Sequence, residues 1–132
     1  MNETITAVPG SKGMLWTGRV LSAIPILLLL LSAVMKFAKP PAVLQGFAHY
    51  GYAEGLIVTI GALELICTIL YAIPRTAVLG AILVTAYLGG ATATNVRVGD
   101  LSWITTVILG VLAWAGLYAR DSRVRSLLPL RN

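Results

Sequence analysis

Apolar residues run through this chain in four long blocks, separated by short clusters of charge, glycine and proline. The blocks cover residues 16–35, 55–73, 77–96 and 101–119. Each is close to the ~20 residues that carry a helix across the hydrocarbon core of a bilayer, so the pattern predicts four transmembrane helices. Pro40 and Pro41 stop the first, and Pro74 with Arg75 stops the second, as expected where the ring removes a donor and basic residues anchor the end. Pro25 lies inside the first block and is predicted to bend that helix by freeing a carbonyl one turn earlier. Between the first two blocks, Val43, Leu44, Phe47 and Tyr50 recur at helical spacing before Gly51. This predicts a short amphipathic helix on the membrane surface, an outer lid on the bundle. Residues 1–13 read as a disordered leader, 14–119 as the membrane domain and 120–132 as a basic tail on the lipid headgroups. A cleaved signal peptide fits less well, because the exit from the first block (Val34-Met35-Lys36-Phe37) lacks a small-x-small site.

Composition agrees with lipid as the solvent. Of 132 residues, 58% are hydrophobic and 11% charged, where soluble domains average about a quarter charged. The fold class is therefore all-α, an integral membrane four-helix bundle with a surface helix between the first and second spans. The net charge of +5 points to membrane topology rather than nucleic acid, since the basic residues flank the spans. Lys12, Arg19, Arg75, Arg120, Arg123, Arg125 and Arg131 fall on one side; Lys36, Lys39 and Arg97 fall on the other. The positive-inside rule then predicts both termini in the cytoplasm, with a bacterial inner membrane as the setting.

On the third block, Ala77, Ala81, Thr85, Gly89 and Ala93 place a small residue at every fourth position. Small residues let helix backbones approach in lipid. The stripe predicts that this helix is the packing hub; a homo-oligomer seam is the alternative.

Glu64 is the most informative single residue. It lies mid-span among apolar neighbours, where an ionised carboxyl costs ~2.5–3.5 kcal/mol on insertion scales. It should face the interior, and it is the best candidate for a catalytic or ligand-binding group; a packing hydrogen bond is the structural alternative. Helix rise puts Glu64 roughly 13 Å and Arg19 roughly 5 Å from their cytoplasmic ends, which makes Arg19 its expected charged partner, unless Arg19 snorkels outward. Thr85 and Tyr87 reach a similar depth and are expected hydrogen-bond partners. Lys36, His49, Thr92, Asn95 and Arg97 form a second, outer polar cluster suited to a ligand head or to lipid headgroups.

Some chemistry is excluded. One histidine rules out an intramolecular bis-histidine haem, and the single cysteine, Cys67, excludes an internal disulfide and a self-contained iron–sulfur centre. No metal-ligand spacing and no phosphate loop occurs, so no intrinsic cofactor or metal is expected. Electron carriers, if used, would be a quinone, a soluble ligand or a partner subunit.

The chain resembles the DoxX-like family of small four-helix bacterial membrane proteins over roughly residues 16–130. The stretches that carry the resemblance are W-x-x-R-V-L-S-A from Trp16, L-L-S-A-V-M-K-F from Leu30 and G-x-L-E-L from Gly61. They continue with I-P-R-T-A-V-L-G-A from Ile73, Y-L-G-G-A-T-A-T-N-V-R-V-G from Tyr87 and W-x-G-L-Y from Trp114. Members commonly carry a histidine before V-R-V-G, where this chain has Asn95, which removes a titratable group from the outer cluster. The resemblance implies association with quinone-linked oxidation of sulfur compounds or with membrane oxidoreductase complexes. A similar arrangement occurs in the sterol-isomerase-like EXPERA group, where acidic residues face a lipophilic ligand. Three readings stay open: an accessory or quinone-interacting subunit of a membrane redox system, a binder, carrier or enzyme for a small lipophilic molecule around Glu64, and a structural protein acting through partners.

Overall fold

A computed structural model describes residues 11–130, and these form an all-α membrane bundle with no strand among them. The leader to residue 10, and Arg131 of the tail, lie outside the described residues. Helix α1 spans Lys12–Ala38, the short α2 Pro41–Tyr50 and α3 Leu56–Ala72. A single 3₁₀ turn, Pro74–Thr76, leads into α4, Ala77–Arg97; α5 is Trp103–Arg120 and α6 Ser122–Leu127. Among the described residues three helices are long and apolar enough to cross a membrane: α1, α4 (with its leading turn) and α5. The 17-residue α3 is shorter, roughly 26 Å at 1.5 Å per residue, and packs among them.

Helix α1 begins four residues earlier than the hydrophobic pattern predicts. Ser11 supplies the reason: its hydroxyl accepts from the Met14 N–H at 3.1 Å, satisfying a donor that a helix start leaves orphaned. The 27-residue helix is roughly 40 Å long and ends at Lys39, whose left-handed backbone (φ 53°) closes the last turn ahead of the two prolines. Pro25 faces the interior.

The main contacts close a ring in the order α1, α3, α4, α5. Tyr71, late in α3, meets Ser22, early in α1, whereas Lys36, late in α1, meets Glu64 midway along α3; the two helices are therefore antiparallel. Each long helix buries one line of residues, mostly at steps of three or four, for example Gly18, Ser22, Pro25, Leu29 and Ala33 on α1. The outward faces carry large apolar side chains (Leu27, Leu31, Ile66, Ile82 and Val111 are all more than half exposed), as lipid-facing surfaces do.

Only the first half of the small-residue stripe packs inward. On α4 the buried residues are Ala77, Gly80, Ala81, Val84, Leu88 and Asn95, while Thr85, Gly89 and Ala93 face outward. A four-residue step overshoots one helical turn by about 40°, so a strict every-fourth stripe winds off the face on which it starts. Two places bring helix backbones closest: Gly80 of α4 sits against the Leu70 and Tyr71 main chain of α3, and on α1 and α5 Gly18 and Gly116 sit against each other's backbone, where a Cβ on Gly116 would lie 2.7 Å from the Ser22 amide nitrogen and 3.0 Å from the Gly18 carbonyl. Across this end, the Tyr71 hydroxyl donates to the Ala113 carbonyl at 2.6 Å and lies 3.0 Å from Ser22 Oγ.

The basic tail also departs from expectation. Rather than resting wholly outside, α6 folds back so that Val124, Arg125 and Ser126 are buried. Arg125 donates to the Tyr118 and Ala119 carbonyls at 2.9 and 2.8 Å, placing a cation on the carbonyl end of α5, where the helix dipole favours it. Surface helix α2 behaves as its pattern requires: Val43, Leu44, Phe47 and Tyr50 are half-buried, while Gln45, Ala48 and His49 are exposed.

Candidate functional site

Helix α3 buries Ile57, Gly61, Glu64, Thr68 and Tyr71 along one line, so the carboxyl of Glu64 enters the interior on a face that is otherwise apolar or small. It is 2% exposed. Lys36 Nζ lies 2.7 Å from Glu64 Oε2 and donates to it, and the same ammonium donates to Ser32 Oγ at 2.6 Å, one turn back on α1. Gly61 makes this approach possible. A Cβ there would stand 2.9 Å from the Lys36 Cβ, inside ordinary contact, so any side chain would push the lysine stem off α3.

The partner predicted for Glu64 was Arg19, and the structure replaces it with Lys36. Side chains on a helix lean toward its N-terminus. Lys36, near the C-terminal end of α1, therefore leans inward, and Glu64, on the antiparallel α3, leans toward it. Arg19, near the N-terminal end, leans outward; it is exposed, with its guanidinium 5.1 Å from the centre of the Trp16 ring. Depth along the axis was the wrong criterion because it ignored that lean.

The ion pair lies on the wall of a cavity of about 480 Å³ at the end of the bundle away from the termini. Leu29, Ile60, Leu63, Leu88 and Leu109 give it an apolar lining; Ser32, Tyr87, Thr94 and Asn95 add polar groups beside Lys36 and Glu64. Tyr87 and Glu64 line the same cavity. Phe47 and Tyr50 of α2, and Tyr52 just beyond it, cover one side. That cover is tied down. The Tyr52 and Thr94 hydroxyls are 2.8 Å apart, the Tyr50 hydroxyl donates to Asp100 at 3.4 Å, and the Arg97 guanidinium donates to the Tyr50 carbonyl. Bonds from Ser102 hold the Asp100 carboxyl below its ordinary range, while burial, and then Asp100 itself, pushes the Tyr50 phenol up. Both groups thus keep the charge states that suit their contact through neutral pH.

The other expected site residues separate. Thr85 does not reach Glu64; two residues before Tyr87, it stands about 200° round the helix. It donates to the Ala81 carbonyl at 2.7 Å and accepts from Trp114 Nε1 at 2.6 Å. Thr92 faces the same way, with its hydroxyl 2.6 Å from that of Thr106, and both threonines line an outward groove between α4 and α5. The outer polar cluster is thereby divided. Lys36 turns in to Glu64, Asn95 is buried on the cavity wall, Arg97 fastens α2, and exposed His49 stacks at a tilt on Tyr50, 5.6 Å between ring centres. Ser32 and Tyr52 were not anticipated. Ser32 could have been found, since it precedes Lys36 by one turn; Tyr52 lies outside any helix, and no periodicity marks it.

Among the described residues no group of three or more metal-ligating side chains occurs. The arrangement can hold a small, largely apolar molecule against a buried ammonium–carboxylate pair, with phenol and amide groups close by. A family model described as the DoxX-like family matches residues 20–116. No curated protein and no solved structure gives a significant match.

Proposed function

The chain belongs to the DoxX-like family, and we propose that it works in the membrane as an accessory, quinone-interacting component of a redox system. One observation carries this reading: an apolar cavity, sized for a small ring with part of its tail, has a single buried ion pair on its wall. Pockets for small ligands are mostly apolar with a few placed polar groups. Lys36 has three N–H donors and uses two, on Glu64 and Ser32, leaving one for a ligand oxygen. Glu64 holds the ammonium in place inside the bundle. The quinone class itself is what the family resemblance implies.

The test is binding in lipid nanodiscs. A short-chain quinone should partition into nanodiscs carrying the protein beyond those without it. Lys36→Met should weaken that excess roughly tenfold or more, the value of a charge-assisted bond of about 1.5–3 kcal/mol. If wild-type nanodiscs take up no excess quinone, the reading fails; if they retain a different apolar molecule from the membrane, the cavity serves another lipophile.

The proposal includes an orientation, with both termini in the cytoplasm and α2 on the opposite face of a bacterial inner membrane. The basic residues support it: Lys12, Arg19, Arg75, Arg120, Arg123 and Arg125 gather at the end that holds the termini. A reporter that is active only outside the cytoplasm should stay silent when fused after Asn132 and become active when inserted at Gly51; the reverse pattern would invert the protein.

A further inference from the structure

The cavity opens sideways, between α3 and α4. Leu63, the residue before Glu64, lines it and is nevertheless 53% exposed. One step of about 100° carries it from the buried line to the edge of α3. Ala86 and Gly90 of α4 also line the cavity and are exposed. They lie about a turn apart, on the side of α4 away from Thr85 and Thr92, whose hydroxyls meet Trp114 and Thr106 of α5. Contacts between α3 and α4 frame this window at both ends. Toward the termini, Gly80 packs against the Leu70 and Tyr71 main chain, and the Thr76 hydroxyl donates to the Leu70 carbonyl at 2.7 Å. At the other end the Tyr52 and Thr94 hydroxyls meet. Between these contacts nothing lies within 4 Å of a Cβ at Gly90. Leu63 and Gly90 both stand near the middle of their helices, so the window faces hydrocarbon rather than headgroups.

From this we infer that the ligand is a lipophile with a compact head and a single apolar chain, held with its head inside the bundle and its chain in the bilayer. The head sits at Lys36, and the chain leaves between Leu63 and Gly90. The inference rests on the proposed binding in this cavity and specifies the shape of the ligand and the path it takes. The cavity, about 480 Å³, has room for a ring and only the start of a chain, so a longer chain needs an exit. An exit onto hydrocarbon lets the head move in and out while the chain never meets water, where its apolar surface would be unfavourable. The rim suits a chain, since Leu63, Ala86 and Gly90 offer it no polar group, whereas the ammonium and carboxylate stand further in. Gly90 sets the width of the path. With no side chain of its own and no neighbour close by, it leaves open the space that a large residue would fill.

Two probes with one ring test this: a quinone bearing a single long alkyl chain, and the same quinone with a methyl group in its place. Each is partitioned into nanodiscs with and without the intact protein, and excess uptake is referred to the lipid present. Gly90→Trp and Ala86→Trp place bulk on the rim of the window at exposed positions. In both, excess uptake of the long-chain quinone should fall roughly tenfold or more, the scale of forcing a group past an overpacked contact. The methyl quinone should stay within about twofold of wild type. Gly89→Trp, next in sequence but in the groove toward α5, should change neither probe, and its thermal midpoint serves as the reference for the two rim variants. Unchanged long-chain uptake in both rim variants would overturn the path and leave the binding reading standing. Equal losses of the two probes would place these residues in the pocket of the head and overturn it as well. No excess uptake of either probe by wild type would remove the binding reading and this inference with it.

Discussion

Glu64→Leu is expected to destabilise the bundle by about 3–5 kcal/mol, the cost of leaving a buried charge without its counter-charge. The value should fall toward the lower figure. Lys36 retains 12% side-chain exposure and stands one turn or less from the end of α1 at Ala38, so its ammonium can swing out toward the headgroups. Lys36→Met should cost more than Glu64→Leu, because the shorter Glu64 side chain is 2% exposed and lies two turns inside α3, beyond reach of either surface. The double variant, Lys36→Met with Glu64→Leu, should recover most of the loss, since a buried pair replaced by apolar side chains of similar volume is often neutral or better. Denaturant unfolding of all four proteins in one detergent measures the coupling directly. Single substitutions that each move stability by less than about 0.5 kcal/mol would show that the pair contributes nothing to the fold. A stable double variant that has lost quinone uptake would then separate binding from scaffolding.

The second large effect concerns two glycines that look alike along the chain. Gly116→Ala should destabilise by about 1–3 kcal/mol, the range for overpacking, because the new methyl meets the main chain of α1 and neither backbone can move aside alone. Gly89→Ala should be neutral, or stabilising by up to about 1 kcal/mol through helix propensity, since nothing lies within 4 Å of that Cβ position. The ranking, read as thermal midpoints in the same detergent, is the test. If Gly89→Ala were the damaging one, α4 would have an intermolecular neighbour at that face, and the small-residue stripe would be a seam between copies.

These cases show why some features are legible in the chain and others are not. Hydrophobic blocks and their proline stops locate the helices to within a few residues, because the bilayer and the missing N–H of proline act locally. Glu64 stands out for the same reason: a mid-span carboxyl is costly wherever its helix packs. Its partner was not legible, because that depends on the antiparallel setting of α1 and α3 and on the direction in which their side chains lean. The small-residue stripe on α4 predicts too much because spacing alone does not say which of several small residues meets a backbone; Gly18 and Gly116 lie on different helices and are paired only by the fold. Asn95 was visible as a polar residue near a helix end, but its bond back to the Ala91 carbonyl appears only in the fold.

The pairing of Lys36 with Glu64 also bears on how the protein is made. The two charges belong to different helices, and α1 leaves the ribosome first. Until α3 follows, the ammonium has no counter-charge and is held at the headgroup level by its long stem. Helix α3 is the shortest of the long helices, and it carries a carboxylate through its centre. Of the four it is the one with a carboxylate at its centre, and α1 already waits with the matching cation and a groove lined by Ala33 opposite Gly61. The order of the segments along the chain therefore lets an earlier helix receive the charge of a later one, and the contact that completes the cavity is the same contact that settles its charged wall in the membrane.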